Sequence, residues 1–156
     1  MGWLTGALPR IVSVQAEGCA PVVKAWREGA ETTAPWDNPI TDAPGLRVPS
    51  PFAGRQMLKI LRETRGDAIA VGEGAIQDAQ RLLGRLEGVW TSPEGAALVA
   101  ALAEMKDRGA VAADARVVLV LTGAGIKYDP PPLPPAVDLT GADEEIVAAV
   151  RRALGV

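Results

Sequence analysis

RVVLVLTGAGIKY, residues 116–128, is the stretch on which the fold turns. Val117 to Leu121 are consecutive apolar β-formers, the pattern of a strand buried on both faces of a parallel sheet. The run stops abruptly at Thr122, Gly123, Ala124 and Gly125. In an open α/β sheet, ligands lie just beyond the carboxyl ends of the strands. A hydroxyl followed by two glycines there is a candidate site edge. The same residues also read as a tight turn that closes a core strand.

Working outward, strands alternate with helices. Arg10 to Ala16 alternates toward a short strand, and Ala20 to Gly29 reads as a helix with Pro21 in its first turn and Gly29 as its stop. Residues 30–51 carry five prolines and little periodicity, so a long loop is expected there. A helix from Phe52 to Arg65 ends at Gly66, and Asp67 to Val71 is a second short strand. Glu73 to Glu87 is amphipathic, with Ile76, Ala79, Leu83 and Leu86 on one face. Ser92-Pro93-Glu94 is a helix start: a capping hydroxyl, a proline in the first helical position, and a carboxylate at the positive end. The helix that follows runs to about Arg108 and holds Ala96 to Ala103 without a polar residue, as a helix crowded against a sheet would. Asp129 to Ala136 (DPPPLPPA) is a polyproline-like spacer. Thr140 and Asp143 form a capping box for a last helix whose apolar face is Ile146, Val147, Val150 and Leu154.

This alternation predicts an α/β fold with a short parallel sheet flanked by helices. Three strands are legible, 11–16, 67–71 and 117–121, and so thin a sheet has edges that need covering. The chain therefore reads as a portion of a larger domain.

Composition removes whole classes of function. The 156 residues contain no histidine, which excludes Ser-His-Asp and Cys-His catalysis and the common zinc sites. Cys19 is the single cysteine; it cannot form an internal disulfide and reads as a small buried packing residue in a reducing compartment. The net charge of −3, with signs interspersed, argues against nucleic acid or an anionic membrane surface as the main partner. No apolar run reaches the roughly 18 residues of a membrane span. The cytoplasm is the expected compartment.

Four segments, in order and spacing, resemble one family. They are VQAEGCAPVVKAW (14–26), GLRVPSPFAGRQMLKILRETRGDAIAV (45–71), EGVWTSPEGAALVAAL (87–102) and RVVLVLTGAGIKY (116–128). Together they look like threonine synthase, a pyridoxal-phosphate (PLP) enzyme of the tryptophan-synthase-β type, fold type II. The resemblance covers residues 3–128. It implies that 1–128 is the C-terminal part of such a PLP domain, with 129–140 a Pro-rich linker and 141–156 a C-terminal helix. The resemblance also implies the reaction, O-phospho-L-homoserine and water to L-threonine and phosphate. Threonine dehydratase and cysteate synthase share this architecture and are the alternatives.

The family's cofactor-bearing lysine, in a Ser-x-Lys-Asp setting, and its glycine-rich phosphate loop have no match here. Lys24, Lys59, Lys106 and Lys127 all lack that setting, and Gly72-Glu73-Gly74 sits at the start of a helix. The far wall of the cofactor site is matched. Thr122 corresponds to the hydroxyl that faces the pyridine nitrogen, and Gly123 and Gly125 would let the backbone pass close to the ring. Glu17, at the end of the first strand, Glu94, Lys127, Arg47 and Arg55 read as solvated or helix-terminal charges. The resemblance implies a small-molecule substrate and a chain that is inactive alone. Its partner would be a lysine-bearing N-terminal half or, through an open sheet edge, a second copy.

Overall fold

The computed structural model describes residue 6, residues 8–129, residue 140 and residues 142–154. Its elements are β1 (Val12–Ala16), α1 (Pro21–Arg27), α2 (Gly54–Glu63), β2 (Asp67–Val71), α3 (Glu73–Glu87), α4 (Pro93–Asp107) and α5 (Asp143–Leu154), with single 3₁₀ turns at Pro44–Leu46 and Gly125–Lys127. β1 and β2 pair in parallel, Val12 opposite Asp67 through Ala16 opposite Val71. The α/β class and the short parallel sheet flanked by helices are as the sequence predicts.

The period-2 alternation of the strands sorts the helices into two layers. Val12, Val14, Ala16, Ile69 and Val71 face α3 and α4, where Ile76, Ala79, Ala96, Ala97, Ala100 and Met105 complete one core. Ala68 and Ala70 face the other side, against Val22, Val23, Leu58 and Leu61 of α1 and α2. The small residues of α4 let it lie close to the sheet, which is why a run of alanines is buried rather than exposed.

Several boundaries follow from local chemistry. The Ser92 hydroxyl accepts from Gly95 N at 3.3 Å and caps α4. Gly29 and Gly88 end α1 and α3 with φ of +68° and +65°, conformations that cost other residues more. α2 closes differently from the sequence reading. Arg65, not Gly66, takes the left-handed conformation, φ +52°. Gly66 is glycine because a Cβ there would collide with the Ile11 carbonyl as the chain turns into β2. α1 has no side-chain cap of its own. Instead the buried side chain of Gln15, one strand away, accepts from Val22 N at 2.9 Å and Val23 N at 3.1 Å.

The strand expected over 117–121 is not formed. These residues carry no regular structure, and Val118 and Val120 are 85% and 67% exposed. A strand is a pairing relation, and among the described residues no third strand offers a ladder. Just past this run there is one antiparallel bridge, Ala124 with Thr91. The 129–136 spacer lies, apart from Asp129, outside the described residues. α5 begins at Asp143, and its first-turn carboxylate partner is Glu145, whose Oε2 accepts from Ala142 N at 3.3 Å; the cap is thus two residues later than the Thr140–Asp143 box. Among the described residues no helix is long and apolar enough to cross a membrane.

Candidate functional site

The carboxyl ends of β1 and β2, the loop through residues 38–48, the start of α4 and the turn at 121–128 meet at one end of the sheet. Glu17 prolongs the ladder, its N–H donating to the Val71 carbonyl at 2.9 Å, and its side chain is exposed beside Gly72. The loop is fastened over this edge. Ile40 N donates to the Gly18 carbonyl at 3.1 Å, and Asp42 N donates to Glu73 Oε2 at 3.2 Å. Glu73 Oε1 is buried and, among the described residues, has no hydrogen-bond partner. Cys19 is fully buried beneath the loop, and burial raises its thiol pKa, as expected of a packing residue.

Glu94 is the hub of this end. Its Oε1 accepts from Gly45 N at 2.8 Å and its Oε2 from the Tyr128 hydroxyl at 2.7 Å. One carboxylate in the first turn of α4 therefore ties the proline-rich loop to the turn after Gly125. Desolvation pushes its pKa up, but hydrogen bonds from Tyr128, its own backbone, Gly45 and Ser92 outweigh that and hold the carboxyl below its ordinary value. Tyr128 moves the opposite way. Its bond to Glu94, then burial, then the neighbouring negative charge raise its hydroxyl pKa.

The turn itself is fixed by backbone contacts to 90–92. Ser92 N donates to the Gly123 carbonyl at 3.0 Å, Thr91 Oγ1 to the same carbonyl at 3.2 Å, and Gly125 N to the Trp90 carbonyl at 2.8 Å. Those contacts explain both glycines. A Cβ on Gly123 would stand 2.8 Å from Ser92 Oγ, and one on Gly125 would overlap the Trp90 ring. Thr122 directly precedes Gly123, exposed, and among the described residues its hydroxyl has no hydrogen-bond partner.

Thr122, Gly123 and Gly125 are thus brought together, and Glu94 stands one turn away, at the third residue from Thr91. Glu17 shares the same end of the sheet. Arg55 does not join them; it pairs with Glu31 at 3.4 Å on the surface. Arg47 and Lys127 are exposed. Sequence reasoning missed Gly45, Tyr128 and Glu73. Only Tyr128 carried a usable signal, as the one tyrosine of the chain, directly after the glycine turn.

The fold is a layered α/β arrangement of two parallel strands between helices. The chain belongs to the pyridoxal-phosphate dependent enzyme family, which it matches over residues 2–123. Its curated relatives include several threonine synthases. That of Methanosarcina acetivorans is 39% identical over 124 residues, 80% of this chain and 31% of the relative. That of Methanocaldococcus jannaschii is 36% identical over 120 residues, 77% of this chain and 30% of the relative. The chain therefore spans about a third of the length of these relatives. Among solved structures, a threonine deaminase from T.th. shares the fold at a TM-score of 0.57 and 24% identity, over 78% of this chain and 42% of that one. Maize serine racemase matches at 0.51 and 26%, over 64% of this chain and 30% of that one.

The residues present fit pyridoxal phosphate in part. A free hydroxyl at Thr122 suits one edge of the ring. The space beside Gly123 and Gly125, however, is taken by Ser92 and Trp90. All four lysines are exposed, so none is set in a dry pocket of the kind that activates a lysine amine.

Proposed function

We propose that this chain is the C-terminal portion of a threonine-synthase-type enzyme and supplies one wall of its PLP site. The intact enzyme would convert O-phospho-L-homoserine and water to L-threonine and phosphate. The observation that carries the reading is the Thr122 hydroxyl, which follows the apolar run 117–121 and is exposed and, among the described residues, unpartnered, while the residues that follow are held by backbone bonds. PLP, when bound, acts as an electron sink for the substrate's Cα. Thr122 would donate to the pyridine nitrogen and leave it unprotonated, which makes that sink milder than a carboxylate partner would. Gly123 and Gly125 hold the hydroxyl in place through the 90–92 segment. The covalent lysine and the phosphate loop would come from an N-terminal portion.

The purified chain should be titrated with PLP, followed at the visible absorption band, reduced with borohydride and mapped by mass. Absence of a specific adduct is the expected result. A stoichiometric adduct on one lysine would overturn the assignment, because the chain would then hold a complete site. With a lysine-bearing N-terminal polypeptide added, Thr122→Asp should shift the band and Thr122→Ser should not.

A second reading is favoured by the exposure of Val117, Val118, Val120 and Leu121. In it the chain is a non-catalytic domain that pairs through this segment or its sheet edge with another copy. A clean monomer in size-exclusion chromatography at micromolar concentration counts against that reading.

A further inference from the structure

α5 is amphipathic and leaves most of its apolar face uncovered, with Ile146 half-buried. None of its residues is buried, and Val147, Val150 and Leu154 are 50%, 36% and 63% exposed. A helix of 12 residues is marginal in water by itself. Elsewhere on the chain, α3 and α4 leave a shallow groove between them, lined by Ala75, Asp78, Leu82 and Arg85 of α3 and by Val99 and Ala103 of α4. Leu82 is 39% exposed at its centre. We infer that α5 docks in this groove of its own chain, antiparallel to α3.

Spacing and charge set the orientation. On α3, Asp78 and Arg85 lie seven residues apart, about 10.5 Å along the axis. On α5, Glu144 and Arg151 have the same separation and sit on the stripe that includes Val147. Laid antiparallel, Glu144 meets Arg85, Val147 meets Leu82, Arg151 meets Asp78 and Leu154 meets Ala75. Laid parallel, both ends place like charges together. Arg85 has no carboxylate partner among the described residues; Asp78 already holds Arg81, which also lines the groove, at 3.0 Å through one oxygen, so Arg151 shares that carboxylate through the other.

The connection favours the same chain as donor. Tyr128 is tied to Glu94 in the first turn of α4. The short link from α3 to α4 puts that turn near the Arg85 end of the groove, where the antiparallel arrangement starts α5. About 15 residues separate Tyr128 from Asp143, and a chain of that length reaches up to roughly 50 Å, far more than the groove requires. A tether this short gives an effective concentration in the millimolar range, above that of any second copy in dilute solution.

Hydrogen exchange by mass spectrometry on the full chain tests this. The α5 amides should exchange at least about tenfold more slowly than an unstructured chain. Leu82→Glu should remove that protection while the β1 and β2 amides keep theirs. Arg85→Glu should weaken it several-fold, and adding Glu144→Arg should restore it. Exchange at the unstructured rate in the unaltered chain, or protection indifferent to Leu82→Glu, overturns the docking. Protection that vanishes on roughly hundredfold dilution assigns the groove to a second copy and overturns the in-chain arrangement.

Discussion

Replacing Glu94 by glutamine tests whether a single carboxylate organises the candidate site. The substitution keeps the shape and one carbonyl acceptor for Gly45 N, now 2.8 Å from Oε1. It removes the charge that accepts from Tyr128 at 2.7 Å. A hydrogen bond to a charged group is worth about 1.5–3 kcal/mol, and this one belongs at the low end because the pair is only partly buried. Loss of negative charge from the first turn of α4 adds about 0.3–1 kcal/mol. The glutamine retains a weaker bond to the tyrosine, so the net cost at pH 7 should be about 1–2 kcal/mol. For a chain of this size that is a fall of roughly 2–8 °C in Tm. Tyr128→Phe should cost about 1 kcal/mol, and the double variant should cost less than the sum of the two, because both remove one bond. The pH dependence has a definite sign. The native carboxyl pKa is lowered, so its contribution is complete above the unfolded value of about 4.3 and is lost as pH falls through the native one. Urea unfolding followed by tryptophan fluorescence between acidic and neutral pH measures all of this. Additive losses, or a Glu94→Gln variant with an unchanged acid limb, would refute the hub.

Three further perturbations probe the frame that holds this site. Gln15→Met keeps the volume but strands the amides of Val22 and Val23, so α1 should loosen at a cost of about 2–4 kcal/mol, visible as faster exchange of those two amides. Gly66→Ala forces a Cβ into the Ile11 carbonyl, and overpacking against backbone should destabilise by about 1–3 kcal/mol in a denaturant titration. Ile76→Ala empties a position only 2% exposed between α3 and the sheet; calorimetry should register about 2–5 kcal/mol, and a smaller loss would mean that this core collapses easily.

What was legible in the sequence is what depends on neighbours along the chain. α3 starts and ends where the apolar period and its flanking glycines place it, and Ser92-Pro93-Glu94 starts α4 because capping acts within one turn. What was not legible depends on partners far away. Gly45, Glu94 and Tyr128 converge across separations of 49 and 34 residues, and no local pattern announces that. Gly66 looked like a helix stop, but its role is to let β1 approach, a fact about Ile11. The run at 117–121 shows the same limit from the other side. Its β-branched residues state that the segment suits a buried, pleated surface, and the described residues do not provide one. That mismatch and the one-third coverage of the threonine synthases bear on the same point. Under the proposed function, an apolar strand sequence left exposed beside the Thr122 hydroxyl fits a sheet and a cofactor site divided between polypeptide portions. The two features should therefore respond together: a partner that orders residues 117–121 should also change the environment of Thr122, and one that does the first without the second would separate the sheet edge from the site.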